Sequence, residues 1–423
     1  MPYRNTLQPI ITFDQTLQSA LMARFEIPSP IPPTAIQALL QPGRNGGLGL
    51  RSMELVAPAA KWAAASVVAN DIHPLINSQH LPCILDRAQV HTLLADHGVE
   101  VSNVPGGTRN DYELDEQERK TKFFQCKHYA IPTDPSSIHT FYQDKHNLPD
   151  LQRSLTKQQE DYVLEASKGE LDEIDVVRHN SIKLKSTSHF INHNSRINLN
   201  NTHISMGIRM RLGLHPIHNF NPDTCPLCRK DMKANPNHAL GCGKLRQTII
   251  HTRHDKAVQL IAEFARSVGA VSTCTSRSDG ARGEHVPDGY IYLRNTSIIY
   301  DVTGITTSYP RYVSREFRTQ GGAFSDRETA KTTTYKQFAN DNQLTFFPVV
   351  IDQYGKVGKK AMELFEKIAT QSLDQDSYRA PHERMTLATF LIELSCIWQT
   401  FNAMIISHWA CKSRALIYKR PEM

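Results

Sequence analysis

The stretch CPLCRKDMKANPNHALGC, residues 225–242, constrains this chain more than any other. Two cysteines stand three positions apart, Cys225 and Cys228; His238 follows after nine intervening residues, and Cys242 after three more. Zinc takes four nitrogen or sulfur donors in a tetrahedron, and a Cys-x2-Cys pair forms one half of that cage. Pro226 and the polar KANPN segment supply the loop such a knuckle needs. Four candidate ligands in so short a span argue against chance. His215 and His218 lie just upstream and are alternatives to His238 as the fourth ligand. A site with four protein ligands has no open position, so the expected zinc is structural.

The knuckle follows a basic tract. From Val176 to Pro222 there is no Asp or Glu, while Arg178, Lys183, Lys185, Arg196, Arg209 and Arg211 are basic and six histidines intervene. Such a tract either attracts phosphate or forms a solvated face. Net charge over the whole chain is only +6, so the local distribution carries the nucleic-acid reading. The remaining cysteines, Cys83, Cys126, Cys274, Cys396 and Cys411, are scattered singly. With no secretory signal at the amino terminus, a disulfide framework is not expected, and a reducing nuclear or cytoplasmic compartment fits. Near the other end, MTLATFLIELSCIWQTFNAMIISHWA is apolar, but Glu393, Gln399, Asn402 and His408 interrupt it. Those residues are costly in lipid, so a helix buried against other helices is expected, and no membrane partner.

Length and pattern predict a mixed fold, α+β and α/β, in several parts. At 423 residues the chain has room for two to four domains. Residues 1–105 read as helical, with an alanine-rich helix over about 59–68. Residues 106–204 read as a linker with helices and the basic tract. The knuckle is assigned to 205–245, an α/β core to 246–370, and a helical tail to 371–423.

Within that core, VPDGYIYLRNTSIIYDVTG, residues 286–304, reads as a β-hairpin turning at Arg294 and Asn295. Leu293 then faces Thr296, and counting outward sets Asp288 opposite Asp301. Opposed side chains share a face with Cβ atoms roughly 5 Å apart, so two carboxylates there repel unless a cation lies between them. Mg²⁺ is bound in this manner, through one or two carboxylates, waters and phosphate oxygens. Further on, Ser325 and Glu328 read as a capping box opening a helix over about 326–339. On that helix Lys331 and Tyr335 share a face, with Lys336 one position further round. A lysine delivered from there could orient water or neutralise charge.

These residues, RHDKAVQLIAEFA, VPDGYIYLRNTSIIYDVTG, AKTTTYKQF and FFPVVIDQYGKVG, resemble the restriction-like endonuclease at the carboxyl end of certain non-LTR retrotransposon polyproteins. That family belongs to the PD-(D/E)xK nuclease superfamily, whose core runs helix, three strands, helix, strand, and its retroelement members carry a Cys-Cys-His-Cys zinc knuckle just upstream. GGLGLRSMELVAPAAKWAA is similar to the stretch that follows the reverse-transcriptase palm in such polyproteins. The resemblance covers roughly residues 40–70 and 205–365.

Carried over, it makes Pro287 and Asp288 the PD pair and Asp301 the second acid. The usual lysine would stand at 303, where this chain has Thr303. In the retroelement branch the lysine comes from the following helix, which implies Lys331, with Lys336 second. Arg253 and His254 match the family's RH pair and imply contact with DNA, alongside Arg209 and Arg211 of the basic tract. Glu263 is either a further metal ligand or simply the polar face of its helix. The implied activity is Mg²⁺-dependent nicking of target DNA, which frees the 3′-hydroxyl from which element RNA is copied. The implied partners are DNA, element RNA and a separate reverse-transcriptase portion, because this chain has no recognisable polymerase motif. The rival expectation is an inactive or domesticated nucleic-acid-binding remnant that uses the zinc knuckle and basic tract.

Overall fold

The computed structural model describes residues 4–27, 171–182, 199–220, 222–232, 237–245, 249–275, 286–370 and 385–418, with a few isolated positions between them. The chain divides into two compact units. In the first, comprising Met1–Arg24, Leu39–Pro42 and Gly49–Glu170, the helix α1 (Arg4–Phe25) is described, and Asp14 accepts a hydrogen bond from the Met53 N–H at 2.9 Å. The expected alanine-rich helix at 59–68 and the expected linker from 106 to 170 lie outside the described residues.

The second unit holds residues 171–423 together with 25–38 and 43–48, so the expected knuckle, core and tail segments share it. Its described elements are α2 (Glu173–Ile182), α3 (Asn201–Arg211), α4 (Ile249–Ser267), β1 (Val271–Cys274), β2 (Gly289–Leu293), β3 (Thr296–Gly304), α5 (Pro310–Arg318), α6 (Gly322–Asp341), β4 (Thr345–Ile351), α7 (Lys359–Ala369) and α8 (Leu387–Tyr418). The fold is therefore mixed α/β, with eight helices and one four-stranded sheet among the described residues.

The strands lie in the order β1-β2-β3-β4; the first two pairings are antiparallel and β3–β4 is parallel. A parallel neighbour needs a crossover, and α5 and α6 supply it. Apolar residues on α4 recur at helical spacing, with Ala257, Val258, Leu260, Ile261, Phe264 and Ala265 buried, while Lys256, Gln259 and Glu263 face solvent. That stripe packs with α7 and the first half of α8 on one face of the sheet, around Ile291, Ile298, Tyr300 and Val302. The opposite face takes α6, whose Tyr335 stacks on Phe346 of β4 at 4.7 Å between ring centres.

α8 joins two cores. Phe390, Leu394, Ile397 and Trp398 belong to the sheet core, whereas Ala403, Ile405, Ile406, Trp409 and Ala410 pack on the cysteine-rich segment. By length and composition this helix could cross a membrane, yet 67% of its apolar window is buried inside the protein. Its polar residues have partners there: Gln399 donates to the His203 carbonyl at 3.2 Å, and Asn402 to the Gln353 carbonyl at 2.7 Å. The loop after β4 ties the two cores together, since the Trp398 indole donates to the Asp352 carbonyl at 2.6 Å and Asn237 donates to the Tyr354 hydroxyl at 3.2 Å.

The capping-box expectation needs correction. α6 begins at Gly322, not beside Ser325, and its N-cap Gly321 sits at φ +84 with no side-chain cap. Glu316 of α5 does the capping from outside, accepting the Gly321 N–H at 2.8 Å and the Ala323 N–H at 3.0 Å. Glu328 serves another helix, accepting the Lys360 N–H in the first turn of α7 at 3.1 Å. A carboxylate satisfies orphan helix donors whether it arrives from the same chain segment or from a packed neighbour, and here packing supplied both.

Candidate functional site

Two groups of side chains in the second unit can do chemistry. The first is the cysteine-rich knot. Its turn is built by backbone bonds: the Cys225 N–H donates to the Lys230 carbonyl and the Arg229 N–H to the Cys225 carbonyl, each at 2.8 Å. Arg229 adopts φ +65 to close it. A short 3₁₀ turn, His238–Gly241, then presents His238 and leads into Cys242. The ligand atoms of Cys225, Cys228, His238 and Cys242 all lie within 4.8 Å of one another. Cys225 Sγ and Cys242 Sγ are 3.8 Å apart, and Cys228 Sγ is 3.1 Å from His238 Nε2.

Donors bound tetrahedrally at about 2.0–2.3 Å lie roughly 3.4–3.8 Å apart along each edge, so three sulfurs and one nitrogen at these spacings fit one metal ion. The chemistry of the donors agrees. Burial and neighbouring Lys230 hold His238 below its ordinary pKa, keeping the imidazole neutral and able to ligate. Burial pushes the Cys242 thiol up to about 12, a cost that a bound cation removes by stabilising the thiolate. The cluster can hold a metal ion, and its composition is compatible with structural zinc. His238 is the histidine that joins the cysteines. His215 instead is buried beside Trp409, with Nδ1 3.1 Å from the Ile217 carbonyl, and neither it nor His218 belongs to the cluster.

The second group surrounds the two aspartates. The hairpin turns at Arg294 and Asn295, and its register runs Leu293↔Thr296 through Gly289↔Tyr300. At Gly289 the ladder slips by one residue. The Asp288 N–H donates to the Tyr300 carbonyl at 2.9 Å, although Tyr300 is already the partner of Gly289. Glycine is required there, because a Cβ on Gly289 would lie 2.5 Å from the Tyr300 hydroxyl. The Tyr300 ring cannot retreat; it is fully buried and donates to the Val258 carbonyl of α4 at 3.2 Å.

The slip re-aims Asp288, as bulges do. Its Oδ2 accepts the Val302 N–H at 2.6 Å, so the carboxylate ends the β2–β3 ladder in place of a backbone carbonyl. His254 Nε2 of α4 donates to the same oxygen at 2.9 Å, while its Nδ1 donates to Asp255 at 2.9 Å. Burial opposes charge on His254, but the bonds and charges of Asp288 and Asp255 outweigh it and raise the pKa. Asp301, 5% exposed, turns toward α6. Its Oδ2 pairs with Lys331 Nζ at 2.7 Å and accepts the Thr303 hydroxyl at 3.1 Å. Its Oδ1 accepts the Tyr335 hydroxyl at 2.8 Å, and burial and the charge of Asp301 push that phenol upward, so it stays a donor.

Lys331 and Tyr335 thus use their shared helical face to hold one carboxylate. Lys336 and Glu263 are exposed and have no bond to either aspartate among the described residues. The aspartates form no cluster of three or more ligand side chains among those residues.

No protein-family model matches the chain, and no curated protein matches it either.

Three of the expected nucleic-acid contacts are mostly buried and already have partners within the protein. Arg209 is 5% exposed and donates to the carbonyls of His215, at 2.9 Å, and of Phe25 and Glu26. Arg211, 2% exposed, donates to the carbonyls of Thr187 at 2.9 Å and Ile182 at 3.0 Å. Arg253 donates to Asn402 at 2.6 Å, and its guanidinium lies 4.3 Å from the Trp398 ring centre. Burial lowers both Arg211 and Arg253 to about 10, which leaves them charged at neutral pH. Guanidinium groups are enriched where several carbonyls must be gathered, so a run of arginines in sequence reads as phosphate-binding even when it braces the interior. Of the rest of the basic tract, Arg178 is buried in an ion pair with Asp175 at 2.5 Å, while Lys183, Lys185 and Arg196 lie outside the described residues. Sequence reasoning overlooked Thr303 and Tyr335 as holders of Asp301, although Tyr335 stands one helical turn from Lys331.

Proposed function

We propose that the second unit is a metal-dependent DNA endonuclease module of the non-LTR retrotransposon kind, with the cysteine-rich knot as its structural zinc knuckle. The observation that carries this reading is the 2.7 Å approach of Lys331, from α6, to Asp301 of β3, next to Val302 whose N–H is held by Asp288. It answers the absence of lysine at position 303. The element order supports it too: a helix, three strands, a helical crossover and a parallel fourth strand run as the restriction-like core does.

Asp288 and Asp301 would hold Mg²⁺. Asp288 Oδ1 has no hydrogen-bond partner among the described residues, which leaves it open to a cation. When bound there, the ion supplies charge for the cleaved phosphodiester and lowers the pKa of water. The chain's own residues perform the positioning. His254 and the Val302 N–H fix the Asp288 carboxylate, while Tyr335 and Thr303 fix that of Asp301. Lys331 is placed to orient the attacking water or to balance the charge that develops on the phosphate. The nick would supply a 3′-hydroxyl for copying element RNA by a reverse-transcriptase portion, in a nuclear or cytoplasmic setting.

Supercoiled plasmid with Mg²⁺ tests the reading. Wild type should convert it to the open circle, and Asp301→Ala should not. A second reading, a nucleic-acid-binding remnant, draws on Asp301 being already neutralised by Lys331 and Tyr335 without a metal. Equal inertness of both proteins, with DNA binding retained, would establish that remnant and end the enzyme reading.

A further inference from the structure

A cavity of about 680 Å³ opens between the knuckle and the sheet core, within the second unit. Its wall brings together Lys230 of the knuckle, Arg253 of α4, and Tyr309, Arg311 and Tyr312 around the start of α5. None of its described lining residues is an aspartate or glutamate. Pockets of this volume hold small organic groups, and a few cations converging in one without acids select an anion. Arg253 adds an independent sign. It is 8% exposed, its Nη1 is spent on Asn402, yet its buried Nε has no hydrogen-bond partner. A buried donor left unsatisfied is costly unless something else completes it. Gly304 keeps the approach open, since a Cβ there would lie 2.9 Å from Arg253 Nη2.

The aromatic groups specify the anion further. Arg311 stacks over the Tyr312 ring, 4.4 Å from its centre, so the cation itself covers that face of the ring. Tyr309 is pinned by donating to the Gly241 carbonyl at 2.9 Å. Fixed rings beside cations recognise an unstacked base with its phosphate, which a paired duplex does not offer. Neither aspartate lines the cavity, although chain neighbours of Asp301 do. Arg253 directly precedes His254 on α4, and Gly304 follows Asp301 by three residues on β3.

We propose that this cavity holds an unpaired nucleotide of a nucleic-acid strand, its phosphate at Arg253, Lys230 and Arg311 and its base against Tyr309. The site is separate from the carboxylates, although its use beside a nick rests on the endonuclease reading.

The test uses the full zinc-loaded chain and fluorescence anisotropy with a labelled oligothymidylate of about ten nucleotides, a duplex of about twenty base pairs, and thymidine monophosphate as competitor. Arg311 is an exposed side chain outside the proposed catalytic group and the metal cluster, so the Arg311→Glu variant should keep its zinc and its melting temperature. Expected are at least roughly tenfold weaker oligothymidylate binding, a smaller loss for duplex, and monophosphate competition only far above the oligonucleotide's Kd. Unchanged oligothymidylate binding, or an equal loss for the duplex, overturns the proposal. Competition by the monophosphate as strong as by the oligonucleotide also overturns it, in favour of a free-nucleotide site. Asp301→Ala should bind oligothymidylate like wild type. A chain that fails to nick plasmid but shows these binding results would lose the endonuclease reading and retain the cavity.

Discussion

Cys225, Cys228, His238 and Cys242 turn their ligand atoms on one another, all within 4.8 Å, whereas Asp288 and Asp301 turn theirs on groups from other elements. His254 and the Val302 N–H take the first carboxylate; Lys331, Tyr335 and Thr303 take the second. The knot is a set of donors arranged to share one cation, on a turn held by backbone hydrogen bonds. The aspartates are already compensated by hydrogen bonds and by pairing with His254 and Lys331, so a metal there would act on chemistry more than on folding. Four thiol and imidazole groups facing each other have no internal source of positive charge, while carboxylates near a lysine do.

Removing metal from the knot should break this contrast most forcefully. Chelation, or Cys225→Ser, is expected to cost on the order of 10 kcal/mol of metal-linked stability in that segment. The Trp409 indole donates to Cys225 Sγ at 3.3 Å, so tryptophan fluorescence should shift together with zinc loss measured by elemental analysis. Retained fluorescence and melting temperature after complete metal removal would reduce the knot to ordinary core packing.

At the aspartates the expected loss is in rate. Lys331→Met should lower plasmid nicking about a hundredfold or more, while zinc content stays at wild-type level. Nicking that survives this change would remove Lys331 from the proposed chemistry.

The loop that ties the two cores offers a pH test. Burial pushes the Asp352 carboxyl from 3.8 up to about 6, so its folded-state pKa is raised. Its stabilising contribution is therefore full below about pH 3.8 and lost as pH rises through about 6. Against Asp352→Asn, wild type should lose on the order of 3 kcal/mol across that window, read as the difference between denaturation curves of the two proteins at each pH. A difference that does not vary with pH would show that Asp352 ionises as freely folded as unfolded.

Two smaller changes sharpen the geometry of the acid site. Gly289→Ala forces a methyl against the fully buried Tyr300 and should cost about 1–3 kcal/mol in chemical denaturation; a neutral result would mean the slipped ladder can relax. Tyr335→Phe removes a donor from buried Asp301 and should cost about 1 kcal/mol, with Lys331 still in place. No loss would assign the holding of Asp301 to Lys331 alone.

Much of the sheet was legible along the chain. The turn at Arg294 and Asn295 set the hairpin register, because strand pairing next to a tight turn is fixed by counting. The slip at Gly289 was not legible, since it depends on where the Tyr300 ring meets α4. The spacing of Cys225, Cys228, His238 and Cys242 was readable for the same local reason as the turn. By contrast, Arg209, Arg211 and Arg253 read as phosphate contacts, and their carbonyl partners became visible only when distant segments closed around them.

The sequence by itself determined the elements whose causes lie within about twenty residues: the hairpin and the cluster of three cysteines and one histidine. Tertiary structure decided what those elements meet. It brought Lys331 to Asp301, made Glu316 the cap of α6 and sent Glu328 to cap α7, and split α8 between two cores. Charge and hydrogen-bonding capacity are written in each residue, but which partner uses them depends on surfaces brought together from far apart in the chain.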